Sequence, residues 1–151
     1  MAVIDTHAHI FPGDFGPPPQ GCDPASWPST EPGPEPGSKF LVNGPMRFPA
    51  KAVWFDAEQR LEASAASGLD AELLSPFPAL LNYRAPGEVG RDLARVTNEY
   101  IAGLVAAYPA RLFGLGTVPR PRKRDGYAAT RPAMYSLVTR HRSRPTSAGT
   151  R

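Results

Sequence analysis

One cysteine, Cys22, is all that 151 residues supply, so no intramolecular disulfide can form. That fits a reducing compartment. Cys22 sits in a Pro/Gly-rich stretch with no histidine beside it, and it is read as a bystander rather than a reactive thiol. Long apolar runs are also missing. The best, Tyr100 to Tyr108, falls far short of the roughly 18 residues that a bilayer crossing needs. Met1 to Asp5 carry neither a basic segment nor an extended apolar run, so they are not read as a signal peptide. A cytoplasmic protein without a membrane partner is the expectation. Histidine is scarce as well, with only His7, His9 and His141.

Acidic residues are nearly absent from one end of the chain. Residues 120–151 hold eight arginines and Lys123 against Asp125 alone, for a net +8. Residues 1–119 carry 8 Lys+Arg against 13 Asp+Glu, for a net −5. The overall charge of +3 therefore averages a mildly acidic body and a basic tail. Proline and glycine, at 19 and 14 residues, are abundant, and eleven of the prolines fall between Pro12 and Pro49. Such a composition predicts irregular backbone.

Ala2 to Ile10 alternates, with Val3, Asp5, His7 and His9 on one face and Ala2, Ile4, Thr6, Ala8 and Ile10 on the other. Period-two alternation predicts a strand. The stretch 11–53 reads as a long loop, with a short hairpin near Phe40–Phe48 turning at Asn43-Gly44. Asp56 is placed to cap a helix that Gln59 supports and Gly68 stops. Ala71–Ser75 reads as a second strand, and residues up to Gly87 as a loop. In Glu88–Tyr108, Val89, Leu93, Val96, Tyr100, Leu104 and Tyr108 recur at spacings of three and four, the pattern of an amphipathic helix. Leu112–Val118 reads as a third strand. Strands alternating with helices predict right-handed βαβ units and a parallel sheet.

The chemistry concentrates in Asp5-Thr6-His7-Ala8-His9. On a strand, residues i and i+2 point the same way, so both imidazoles can face one divalent ion. Asp5, one step back, is placed to orient a histidine as a supporting partner. Taken alone, two histidines near a terminus read more readily as polar residues at a strand end than as a metal pair. Their place at the end of the first strand of a βα series favours the metal reading.

Four stretches, in this order and spacing, carry a family resemblance. They are Ile4-Asp5-Thr6-His7-Ala8-His9-Ile10-Phe11-Pro12, Arg60-Leu61-Glu62 with Ser67-Gly68-Leu69-Asp70, Asn98-Glu99-Tyr100, and Tyr108-Pro109-Ala110-Arg111-Leu112-Phe113-Gly114-Leu115-Gly116-Thr117-Val118-Pro119. Over residues 2–119 the chain resembles the amidohydrolase superfamily, in the branch of aminocarboxymuconate-semialdehyde decarboxylase and related aromatic-acid decarboxylases. The resemblance implies the N-terminal three βα-type units of a metal-dependent (β/α)8 barrel. A whole barrel takes about 250 residues, so residues 1–119 are expected to form a partial one. It implies His7 and His9 as metal ligands, with zinc foremost among divalent ions. The family's third histidine and its aspartate have no counterpart here. Arg47 is implied as the group that binds a substrate carboxylate, with Phe48 beside it packing on a planar substrate. A solvated loop arginine is the equal alternative for Arg47. Where the family's helix reads Met-Asp before its Gly, this chain has Ser64-Ala65, which removes a polar contact.

The resemblance implies metal-assisted decarboxylation of a small unsaturated or aromatic carboxylate, the metal supplying hydroxide at neutral pH. A metal-dependent hydrolase of the same superfamily is the alternative. No catalytic residue is identifiable beyond the ligands, and because the family's third histidine and its aspartate are missing, this chain is expected to be an inactive fragment. The expected partner is the small carboxylate and not nucleic acid, and homo-oligomer formation is left open. Residues 120–151 show no sustained periodicity and are read as a disordered tail. Their Arg, Pro, Ala, Ser and Thr composition is what a shifted frame in GC-rich DNA would produce. A basic arm that binds polyanions is the rival reading.

Overall fold

The computed structural model describes residues 1–81, 87–118 and the backbone of 136–137. The expected loop segment 82–86 and nearly all of the tail 120–151 lie outside the described residues.

Strand β1, Ile4–Ile10, buries Ala8 and Ile10 on one side. It pairs in parallel with β5, Ala71–Pro76, which pairs in parallel with β6, Leu112–Gly116. These are the three strands expected from the sequence, in one parallel arrangement. A two-residue strand, β7 (Ser136–Leu137), runs antiparallel along β6.

Helix α1 spans Ala57–Ala66, and the Asp56 side chain caps it by accepting from the N–H groups of Glu58 and Gln59. At its end Leu69 N–H donates to Ser64 O and Gly68 N–H to Ala65 O, with Gly68 at φ +73. This is the Schellman arrangement, in which a residue without Cβ takes the left-handed position. Helix α2, Gly87–Ala107, buries Val89, Leu93, Thr97 and Ile101, an i, i+4 stripe. Val89 and Leu93 of the stripe expected from sequence belong to it, and the other expected members, Val96, Tyr100, Leu104 and Tyr108, pack partly buried beside the core. α2 lies so close over β6 that a Cβ at Gly114 would stand 2.6 Å from Ile101 Cγ2.

The stretch 11–53 is more ordered than its composition implied. It holds a three-stranded antiparallel sheet of β2 (Ser29–Pro32), β3 (Lys39–Asn43) and β4 (Met46–Ala50). The expected hairpin is β3–β4. Asn43 pairs with Met46, so the two-residue turn is Gly44-Pro45, one position later than Asn43-Gly44. Gly44 sits at φ +57, and glycine first in a two-residue turn is the II′ pattern. Strand β2 was not expected. Pro28 precedes it and Pro32 is its last residue, and it lies at the sheet edge, the place where a sheet tolerates proline.

Two apolar clusters hold these layers together. Ala8, Ile10, Leu74, Ile101 and Leu112 join the parallel sheet to α2. Phe11, Phe15, Trp27, Leu41, Ala50, Leu80, Val89 and Leu93 join the antiparallel sheet to the start of the same helix. Ala8 and Ile10 of β1 belong to the first cluster, and Phe11, the next residue in the chain, belongs to the second, so the two clusters meet at the end of β1. Among the described residues no helix is long and apolar enough to cross a membrane.

Candidate metal centre

His7 and His9 lie in the second half of β1, toward its carboxyl end, where parallel α/β sheets bind ligands. Their side chains point the same way. The two Nε2 atoms are 3.2 Å apart, with the rings edge to face at a centroid separation of 4.9 Å. With metal–nitrogen bonds of about 2.05 Å, that separation subtends an angle of about 103° at a shared ion, close to tetrahedral. The two nitrogens therefore fit two positions of a divalent-ion shell. Among the described residues no group of three His, Cys, Asp or Glu is placed to hold a metal ion.

His9 is fixed more firmly than His7. Its Nδ1 lies 2.9 Å from Ser75 Oγ, on the residue directly opposite in β5. Its ring stands edge-on to Phe77 at 6.3 Å. Burial lowers its pKa below the usual histidine value, and the charges of His7 and Arg60 push the same way, against raising contributions from the backbone of Pro76 and Ser75. The neutral, ligating form is favoured as a result.

A bulge interrupts the β1–β5 ladder between Asp5 and Ala8. The extra residue bends the strand locally, yet Asp5, paired with Glu72, still lines the same cavity as His7 and His9. The Asp5 carboxylate accepts the backbone N–H of His7 at 2.9 Å. Its contact with the motif is through the main chain.

Beneath the histidines lies a buried polar cluster that sequence reasoning did not single out. Arg60 on α1 and Glu72 on β5 form an ion pair, and both are buried. The Ser64 hydroxyl also bonds the Glu72 carboxylate. Arg60 Nη1 donates to the carbonyls of His9 and Val53, each at 2.9 Å. The helix is thereby tied to the backbone of β1. Ser64, which stands where the family pattern has another residue, is a working member of this cluster. The available signal was a charged Glu72 inside the apolar run Ala71–Leu74 and an arginine four residues before Ser64.

The histidines open on a cleft of about 420 Å³ that Trp54, Phe77, Arg60 and Glu72 also line. That volume is in the range of small-molecule sites. Trp54 and Phe77 touch at 5.2 Å between ring centroids and form its apolar wall.

Arg47 and Phe48 fall differently. Arg47, on β4, is not among the residues that line this cleft. Its Nε and Nη2 donate to Glu31 at 3.1 and 2.8 Å, and its guanidinium lies 3.6 Å over the Phe40 ring. Phe48 reaches the cleft only through Phe77, against which it packs at 5.8 Å.

No protein-family model matches the chain. Over 116 residues, 77% of its length, it is 27% identical to the 2-amino-3-carboxymuconate-6-semialdehyde decarboxylase of Dictyostelium discoideum, and the match covers 32% of that protein. The structure of Metarhizium anisopliae IDCase in apo form superposes with a TM-score of 0.54 at 16% identity, over 78% of this chain and 35% of that one. The second likeness is one of fold, a mixed α/β layer with parallel strands. The chain spans about a third of the length of the curated relative it matches. Over 77% of its length, then, the chain resembles the decarboxylases of the amidohydrolase superfamily, in the branch of aminocarboxymuconate-semialdehyde decarboxylase.

Proposed function

We propose that residues 1–119 are the ligand-bearing first part of a metal-dependent barrel enzyme that removes carbon dioxide from a small unsaturated or aromatic carboxylate. The observation that carries this reading is the 3.2 Å approach of the His7 and His9 Nε2 atoms at the carboxyl end of β1. The decarboxylase relative supports the reaction class.

In this reading His7 and His9 hold the ion. Zinc is the first choice, since imidazole nitrogen suits it. A divalent ion there would act as a Lewis acid and acidify water toward a pKa of about 7. The chain's own residues do the rest. Ser75 and the Phe77 edge keep the His9 ring in place. Trp54 and Phe77 exclude water from one wall and offer aromatic faces to a planar substrate. Arg47 carries a two-pronged cation suited to a carboxylate, but it lies outside the cleft, so this role requires it both to leave Glu31 and to move toward the histidines.

Two ligands make a weak site, so the 151-residue chain by itself is expected to show no turnover. Residues 120–151 are proposed to be read out of frame. The nucleotide sequence after the Pro119 codon tests this, because another frame should encode a further histidine and an aspartate of the metal set. The functional test is metal-dependent carbon dioxide release from unsaturated and aromatic carboxylates, with zinc or manganese added. None is expected from the 151-residue chain, and release is expected from a chain continued in the other frame. Release by the 151-residue chain would refute the half-site. A continued chain that folds, binds metal and stays inert would refute the substrate class.

A further inference from the structure

The Ser75 hydroxyl sits between two groups, the Ala8 carbonyl at 3.2 Å and His9 Nδ1 at 2.9 Å. It has a single proton to give. A carbonyl oxygen can only accept, so the bond to Ala8 exists only if Ser75 donates it. Ala8 is 2% exposed and Ser75 8%, so this bond is largely shielded from solvent. Losing a buried hydrogen bond costs about 1–3 kcal/mol. With its proton committed to Ala8, Ser75 Oγ faces the ring as an acceptor, and His9 Nδ1 must carry the hydrogen. A neutral ring protonated at Nδ1 has a bare lone pair at Nε2. That is the atom 3.2 Å from His7 Nε2.

We propose that Ser75 is a positioning residue: through the Ala8 carbonyl it fixes His9 in the tautomer whose Nε2 is free to bind a metal ion beside that of His7. The inference rests on the metal reading above for its purpose, but the tautomer itself does not depend on a metal. His7 then supplies the one proton shared between the two Nε2 atoms. For both Nε2 atoms to face one divalent ion, His7 would have to move that proton to its own Nδ1, while the His9 ring neither turns nor changes tautomer. The reverse arrangement, with Ser75 donating to the ring, would place a hydrogen on His9 Nε2 and block it as a ligand.

Nitrogen NMR of the full-length chain labelled in its histidine rings reads the tautomer directly, with no metal and no variant. The expected spectrum has His9 protonated at Nδ1 and bare at Nε2. Ser75→Ala should erase that preference and lower zinc affinity by about 10–100-fold, the usual effect of losing a ligand's supporting bond. Ser75→Thr keeps the hydroxyl and should restore both. A wild-type His9 protonated at Nε2, or a Ser75→Ala variant with the tautomer unchanged, would overturn the proposal while leaving the metal reading standing. A tautomer that shifts as expected, with zinc binding indifferent to both Ser75→Ala and His7→Ala, would overturn the metal reading instead. If the variants fail to fold, the wild-type spectrum still decides the tautomer.

Discussion

Removing the Glu72 carboxylate should be among the most damaging single changes in the chain. Glu72 is 4% exposed and Arg60 9%, and the two form an ion pair that Ser64 completes. Glu72→Ala would leave the guanidinium buried without its counter-charge. Breaking one side of a buried pair costs about 3–5 kcal/mol, a large share of the roughly 5–15 kcal/mol by which domains are stable. The damage would not stay local, because Arg60 also holds the carbonyls of His9 and Val53. Replacing both charges, as in Arg60→Met with Glu72→Leu, removes the unpaired charge but leaves those two carbonyls without their donor. At about 1–3 kcal/mol per orphaned group, the double variant should recover only part of the loss. Urea unfolding followed by circular dichroism would measure it. With a slope of about 1–3 kcal/mol per molar, the Glu72→Ala midpoint should fall by more than about 1 M, or the variant should be unfolded in water. A loss below about 1 kcal/mol for Glu72→Ala would refute the reasoning, since it would mean that solvent reaches Arg60 freely.

Three further outcomes are expected. Gly114→Ala should destabilise the fold by about 1–3 kcal/mol, read in the same unfolding assay, because its Cβ would press on Ile101 at 2.6 Å between α2 and β6. The Tyr100 phenol, whose hydroxyl donates to Phe55 O at 2.8 Å, is pushed up to about 12, first by burial and then by Asp56. Its folded pKa lies above the unfolded value of about 10, so its contribution to stability is complete below pH 10 and fades as pH rises toward 12; phenolate absorbance against pH, compared with Tyr100→Phe, measures the midpoint. His9 has the opposite sign: its folded pKa is lowered by burial, so the unfolded chain binds the proton more readily. Stability should therefore decline as pH falls below the unfolded histidine value of about 6.5, and a His9→Gln variant should show a smaller decline.

Much of the parallel layer was legible because its signals are local. Asp56 caps its helix through neighbours two and three residues on, and Gly68 ends it by taking a left-handed φ. The His7–His9 pair follows from strand geometry alone, and the structure places the two rings together as that geometry requires. What escaped depends on contacts between elements. The bulge at Asp5–Ala8 exists only because β1 pairs with β5 in that register. Arg60 and Glu72 lie on different elements, and nothing in either segment alone names its partner. Strand β2 was hidden by its prolines, since its pairing with β3 overrides what its composition favours. Ser75 looked like an ordinary strand residue until β5 set it opposite His9.

The central claim is that His7 and His9 act as one ion-binding pair, and calorimetric titration of zinc into the purified chain at neutral pH tests it most directly. The account predicts weak binding of one ion per chain, far below the roughly 10–16 kcal/mol of a complete structural zinc site. That binding should be abolished by His7→Ala and by His9→Ala alike. Tight binding that survives either substitution would contradict it.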